Sequence, residues 1–182
     1  MPSESTDPRI DRTRRHVLAC ALTMLTEDGA EAVTFSTVAR EARVSRATLY
    51  RHWTSREQLL ADVIAQAHSD PIPVPDPPDP ASYLRAFLHG IRAGLCDPAT
   101  QSALSALMAH ATRDDGSRAT LHAMGAMRRA DLERGWGPVT PAEYDRIVGP
   151  IFIRVFLTHQ PVTEGFVEEL VADAMRRRDD RS

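Results

Sequence analysis

The chain has 182 residues, 42% hydrophobic and 26% charged, a length for one or two compact domains and a balance that excludes disordered and fibrous proteins. No apolar run reaches the ~20 residues that span a bilayer, and the start, with Asp7 and Asp11 among its arginines, lacks the apolar core of a signal peptide, so no membrane partner and a cytoplasmic location are expected. The net charge is −3 and all 22 basic residues are arginine, which excludes chemistry built on a lysine Schiff base or a phosphate-loop lysine.

Apolar residues recur at helical spacing in nearly every segment and none alternates with a period of two, which predicts an all-α fold of about nine helices. The first helix runs from about Asp11 to Glu27, with Val17, Leu18, Ala21, Leu22 and Leu25 on one stripe and Gly29 just past its end. A second, capped by Thr34, buries Phe35, Val38, Ala39 and Ala42. A third opens at Ser45 after a tight turn and turns Leu49, Tyr50 and Trp53 inward. A fourth starts at Ser55, where Ser-Arg-Glu-Gln reads as a capping box, and buries Leu59, Leu60, Val63 and Ile64. Charge is concentrated in this half: residues 9–15 set Arg9, Arg12, Arg14 and Arg15 against Asp11, and residues 40–56 set Arg40, Arg43, Arg46, Arg51 and Arg56 against Glu41. Local potential, not the average, governs encounter with phosphate, although a solvated arginine face gives the same count.

Six prolines between Asp70 and Pro80 cannot continue a helix and predict a stiff linker that separates a domain at 1–69 from one at 81–182. Five further helices are expected near 80–95, 98–112, 117–134, 141–158 and 163–178. Asp79-Pro80, Asp97-Pro98 and Thr140-Pro141 supply three of their starts. The eighth is apolar nearly all round, and the ninth carries a double-width stripe. A second copy of the chain would cover such faces, with Ile147, Ile151, Val155, Phe166, Leu170 and Ala174 at the interface; a central helix buried within one chain is the alternative.

The second and third helices, short and joined by a tight turn, have the outline of a helix-turn-helix whose second helix fits the major groove of DNA, an outline that ordinary helical bundles share. With Leu49 and Trp53 inward, Arg46, Thr48 and His52 face outward. Arg46, in the first turn, is the candidate for paired hydrogen bonds to guanine, Thr48 for a thymine methyl or a phosphate, and Ser45, Tyr50, His52 and Arg56 for phosphates.

Residues 34–60, and within them Thr34, Val38-Ala39, Ala42, Val44-Ser45, Leu49-Tyr50-Arg51-His52-Trp53 and Ser55-Arg56-Glu57, resemble the DNA-binding signature of the TetR family of bacterial transcriptional regulators. The resemblance extends over about residues 10–66. Two positions depart from it: Arg43 stands where the family has glycine, and Arg56 where it has lysine. A positive φ at Arg43 would cost on the order of 1 kcal/mol, which a phosphate contact offsets. The resemblance implies a DNA-binding head that uses Thr34, Arg43, Ser45, Arg46, Thr48, Tyr50, His52 and Arg56. It also implies a homodimer held by the eighth and ninth helices, a palindromic operator, and repression relieved by a small-molecule effector.

Candidate effector-lining side chains are Phe87, Ile91, Leu104, Leu107, Met108, Met124, Met127, Trp136, Phe152 and Phe156, a set that suits an apolar or aromatic molecule and that any helical core also shows. His89, His110 and His122 lack the i, i+4 spacing of a metal clamp, and Cys20 and Cys96 are too isolated for a zinc cluster, so neither metal nor cofactor is expected. No phosphate-binding glycine loop, His-Glu-x-x-His or nucleophile elbow is present, so an enzyme is not expected. A protein-binding adaptor on the same fold is the main alternative, a small helical enzyme the lesser one.

Overall fold

The computed structural model describes residues 8–67, 73 and 79–180, with side chains from Asp11 onward. Most of the proline-rich linker, and the Arg9 side chain of the first basic cluster, lie outside them. Among the described residues every regular element is helical: α1 (Pro8–Asp28), a 3₁₀ turn (Ala30–Ala32), α2 (Phe35–Glu41), α3 (Arg46–His52), α4 (Arg56–Ala67), α5 (Pro80–Cys96), α6 (Pro98–Ala111), α7 (Asp115–Trp136), α8 (Pro141–Phe152), a π-helical turn (Ile153–Leu157) and α9 (Glu164–Asp179).

The helix starts follow from side chains that accept orphan backbone N–H groups. Thr34 accepts from Thr37, and the Thr37 hydroxyl accepts in return from the Thr34 N–H, closing a capping box. Thr140 and Glu143 close another at α8, and Asp79, just before Pro80, accepts from Ala81. Hydrogen bonds from Ser82 and the following backbone hold the Asp79 carboxyl below its ordinary range. The box expected at Ser55 is half formed. Ser55 accepts from the Gln58 N–H, but the Gln58 carboxamide oxygen accepts from the Thr54 N–H and hydroxyl, one residue earlier than the motif requires.

The chain divides into two compact units, one comprising 1–67 with 102–121 and the other 68–101 with 122–182. A cut near residue 70 therefore leaves out Ser102–Leu121, which belongs with the first unit. There the Ser102 hydroxyl accepts the Ala30 N–H at 3.1 Å, and His110 Nδ1 lies 3.5 Å from the buried Glu57 carboxylate. Within this unit α1 packs on α2 and α4, and α2 on α3, around buried Val17, Leu18, Val38, Leu49, Trp53, Leu59 and Leu60.

In the second unit α5 packs on α8 and α9 around Tyr83, Leu84, Phe87, Leu88, Ile151 and Val167. The eighth helix is not α-helical to residue 158. Pro150, without an N–H and with a ring that crowds the preceding turn, lies just before the change to a π-helical turn, where Thr158 N–H bonds Ile153 O. Ile153 (52% exposed) and Leu157 (74%) are left at the surface. Ile147, Ile151, Val155 and Ala174 are buried within the single chain, so they are not free to face a second one, and only Phe166 and Leu170 of the expected interface are half-buried. Periodicity marks an apolar stripe but not which neighbour covers it.

Candidate nucleic-acid interface

α3 is held by its inner face. Leu49 and Trp53 are fully buried, and the Trp53 indole N–H donates to Asp62 Oδ2 at 2.7 Å. Arg14 Nη2 donates to the same oxygen at 2.6 Å, so one carboxylate on α4 ties α1 to the end of α3. Arg14, counted in the first basic cluster, is thereby paired internally. The signal for this network in the sequence is one acid, Asp62, inside the apolar run of α4.

The turn before α3 is a Schellman motif. Val44 N–H bonds Ala39 O at 3.0 Å and Arg43 N–H bonds Arg40 O at 3.2 Å, which places Arg43 at the position glycine favours, with φ +53°. A non-glycine residue there costs about 1–2 kcal/mol. The side chains of Arg43 and Arg46 are exposed, on either side of the Ser45 cap.

The eight side chains read from sequence divide by what the fold asks of them. Thr34 and Ser45 cap α2 and α3, and Thr48 shares a hydrogen bond with Ser45 at 2.9 Å. Arg56 is turned inward: its Nε donates to Val33 O at 2.7 Å, its Nη2 to Ala30 O at 2.5 Å, and Glu31 lies 3.6 Å away. An arginine so engaged is not offered to phosphate, because its forked donors are already aimed at the carbonyls of Val33 and Ala30, the latter shared with the Val33 N–H of the 3₁₀ turn. Arg43, Arg46 and Tyr50 are exposed and His52 half-buried. Tyr50, also expected inward, is 54% exposed and sets its ring edge-on to Phe35.

The candidate effector-lining residues are not gathered at one place. Leu104, Leu107 and Met108 belong to the first unit, and Phe87, Ile91, Met124, Met127, Trp136, Phe152 and Phe156 to the second, with Met127 at the surface. A shallow, open cleft in the second unit is lined by Trp136, Ile147, Leu170, Ala174, Glu143, Arg146, Asp173 and Arg177. Trp136 is its one residue from the sequence-based set. No group of three metal-ligating side chains occurs among the described residues, and no described helix is long and apolar enough to cross a membrane.

Four likenesses to known proteins bear on this chain. Residues 17–63 match the family described as bacterial regulatory proteins, tetR family. The HTH-type transcriptional regulator YdeS of Bacillus subtilis is 27% identical over 195 residues, spanning 97% of this chain and 94% of its own length. The crystal structure of a TetR family transcription regulator superposes with a TM-score of 0.74 at 28% identity, covering 89% of this chain and 96% of that one. The multidrug binding protein EbrR, crystallised with ethidium, shares the fold with a TM-score of 0.63 at 20% identity, covering 93% of this chain and 99% of its own.

Proposed function

This chain belongs to the tetR family of bacterial regulatory proteins, a helix-turn-helix transcriptional regulator, and from that premise we propose that it is a cytoplasmic, ligand-responsive repressor that binds a palindromic operator as a homodimer. One observation carries the DNA-reading part. Arg43 and Arg46 are exposed on either side of the N-terminus of a helix whose opposite face is locked by Leu49 and Trp53. A guanidinium in the first turn of such a helix reaches guanine O6 and N7, while Arg43, Tyr50 and His52 take phosphates.

The effector is proposed as an apolar or aromatic molecule in the second unit, by likeness of fold to EbrR, whose structure holds ethidium. Relief of repression requires that the effector bind one conformation of the dimer better than the other, since equal affinity shifts nothing.

The experiment is to select duplexes from a random library with the wild-type protein and compare Arg46→Ala on the selected site. Loss of about 1–3 kcal/mol with relaxed preference at one base pair per half-site is the expected result. A uniform loss over all duplexes assigns Arg46 to a phosphate, and failure of the wild type to bind duplex even at low salt favours a protein-binding adaptor.

A further inference from the structure

We infer that His16, on α1 and outside the helix-turn-helix, is a positioning residue for DNA recognition: its imidazole clamps the strained turn that presents Arg43 and the start of α3. The inference rests on the proposed DNA-binding function.

The last turn of α2 leaves carbonyls without intrahelical partners. Val38 O is taken by Ala42 N–H at 2.9 Å, Ala39 O by Val44 N–H and Arg40 O by Arg43 N–H. The carbonyl of Ala42, on the peptide unit that enters Arg43, is met from another helix: His16 Nε2 lies 3.2 Å from it. A carbonyl only accepts, so Nε2 carries the proton and donates. The partners are 26 residues apart in sequence, and α1 is fixed at this level by buried Val17 and Leu18 and by the Arg14 bond to Asp62.

Glycine would hold this turn without help, because it adopts positive φ as readily as negative. Arginine does not, so a hydrogen bond from outside the turn has a purpose here that it would lack in a glycine-turn relative. Rotation of the Ala42–Arg43 peptide relieves the strain, and the same rotation swings the Arg43 guanidinium and tilts the Ser45 cap of α3. His16 opposes that rotation. The Cys20 sulfur, 4.0 Å from the same Nε2, can share the N–H as a weak second acceptor but cannot replace the carbonyl.

The test uses the full chain and the duplex selected by the wild type, with His16→Ala, His16→Gln, Arg43→Gly and the double variant His16→Ala/Arg43→Gly. Gln can place an amide N–H near the position of Nε2. His16→Ala is expected to weaken binding about 5-fold and to lower the slope of log affinity against log salt by about one phosphate contact, while His16→Gln restores both. In the Arg43→Gly background the same loss of His16 is expected to change affinity by less than about 2-fold, because glycine needs no clamp. Amide exchange at Arg43 and Val44, measured without DNA, is expected to speed up in His16→Ala only when arginine occupies position 43. His16→Ala with wild-type affinity and slope, or an equal loss in both backgrounds, overturns the inference, as does unchanged amide exchange. A wild type that binds no duplex at low salt overturns the DNA-binding premise and this role with it, a result distinct from a wild type that binds and a variant that matches it.

Discussion

The guanidinium of Arg56 closes a strap: two of its nitrogens donate to the carbonyls of Val33 and Ala30, and Glu31 balances its charge. Charge-assisted hydrogen bonds of this kind contribute more than neutral ones. Arg56→Ala is therefore expected to lower the unfolding free energy by about 2 kcal/mol, read in urea titration, while leaving the salt slope of duplex binding unchanged. A slope reduced by about one contact, with stability intact, would return Arg56 to the phosphates. Arg56→Lys recovers little of the stability, because a single ammonium nitrogen cannot take the places of both Nε and Nη2. Arg56 also shows where sequence reading stops at this scale. Its position and charge pointed to DNA, but nothing in residues 30–33 announced that two of their carbonyls lie within its reach. The same holds for the His16 bond to Ala42 O and the Arg14 bond to Asp62, which span 26 and 48 residues. The outward placement of Arg46 was legible because it depends only on helix register and on the burial of Leu49 and Trp53.

Helix starts were legible as elements because caps are local chemistry. Thr34, Ser45, Asp79 and Thr140 each accept the backbone N–H their spacing predicts. What a helix meets on its far side is not local. Gly135, in the last turn of α7, forgoes about 1 kcal/mol of helix propensity relative to alanine. A Cβ there would fall on Cγ, Cδ1 and Cδ2 of Tyr83, a fully buried ring whose hydroxyl donates to Asp131 O at 2.6 Å. The ring is fixed at both ends, so it cannot step aside as a flexible chain tip would. Gly135→Ala is expected to destabilise the second unit by about 2 kcal/mol despite the better helix former, seen as a lower melting temperature. A rise in melting temperature would show that the ring does move. The π-helical turn has the same lesson in it. Pro150 was visible in the sequence, yet a continuous helix to 158 was expected, because the apolar run through Ile153–Leu157 reads the same whether the backbone bonds i→i−4 or i→i−5.

Across the whole molecule the acidic balance is segregated: residues 1–69 hold nine arginines against nine acids, and residues 70–182 carry the entire −3. Pairing within the fold sharpens this, since Arg14 and Arg56 are engaged internally while Arg12, Arg15, Arg40, Arg43, Arg46 and Arg51 remain exposed. Local counts of arginine thus overstate the charge left free at the surface of this half.

The proposed dimer is the property of the whole chain that burial redefines. A charge at Ile151, 0% exposed in the single chain, attacks the core of the second unit and says nothing about assembly. Ile153 and Leu157 present apolar surface that the chain itself leaves uncovered, and the rings of Phe152 and Phe156, half-buried with centroids 5.5 Å apart, extend it along the same segment. A stable interface removes about 800 Å² per partner, more than two side chains supply, so in the proposed dimer the half-buried Phe166 and Leu170 of α9 join them. The double variant Ile153→Glu/Leu157→Glu is accordingly expected to sediment as a monomer with the helical circular dichroism of the wild type, and to bind the palindromic duplex with the affinity of a single half-site. Ile151→Glu is expected instead to lose helicity. A double variant that remains dimeric would move the interface off the π-helical turn, and one that unfolds would show that Ile153 and Leu157 support the chain that carries them.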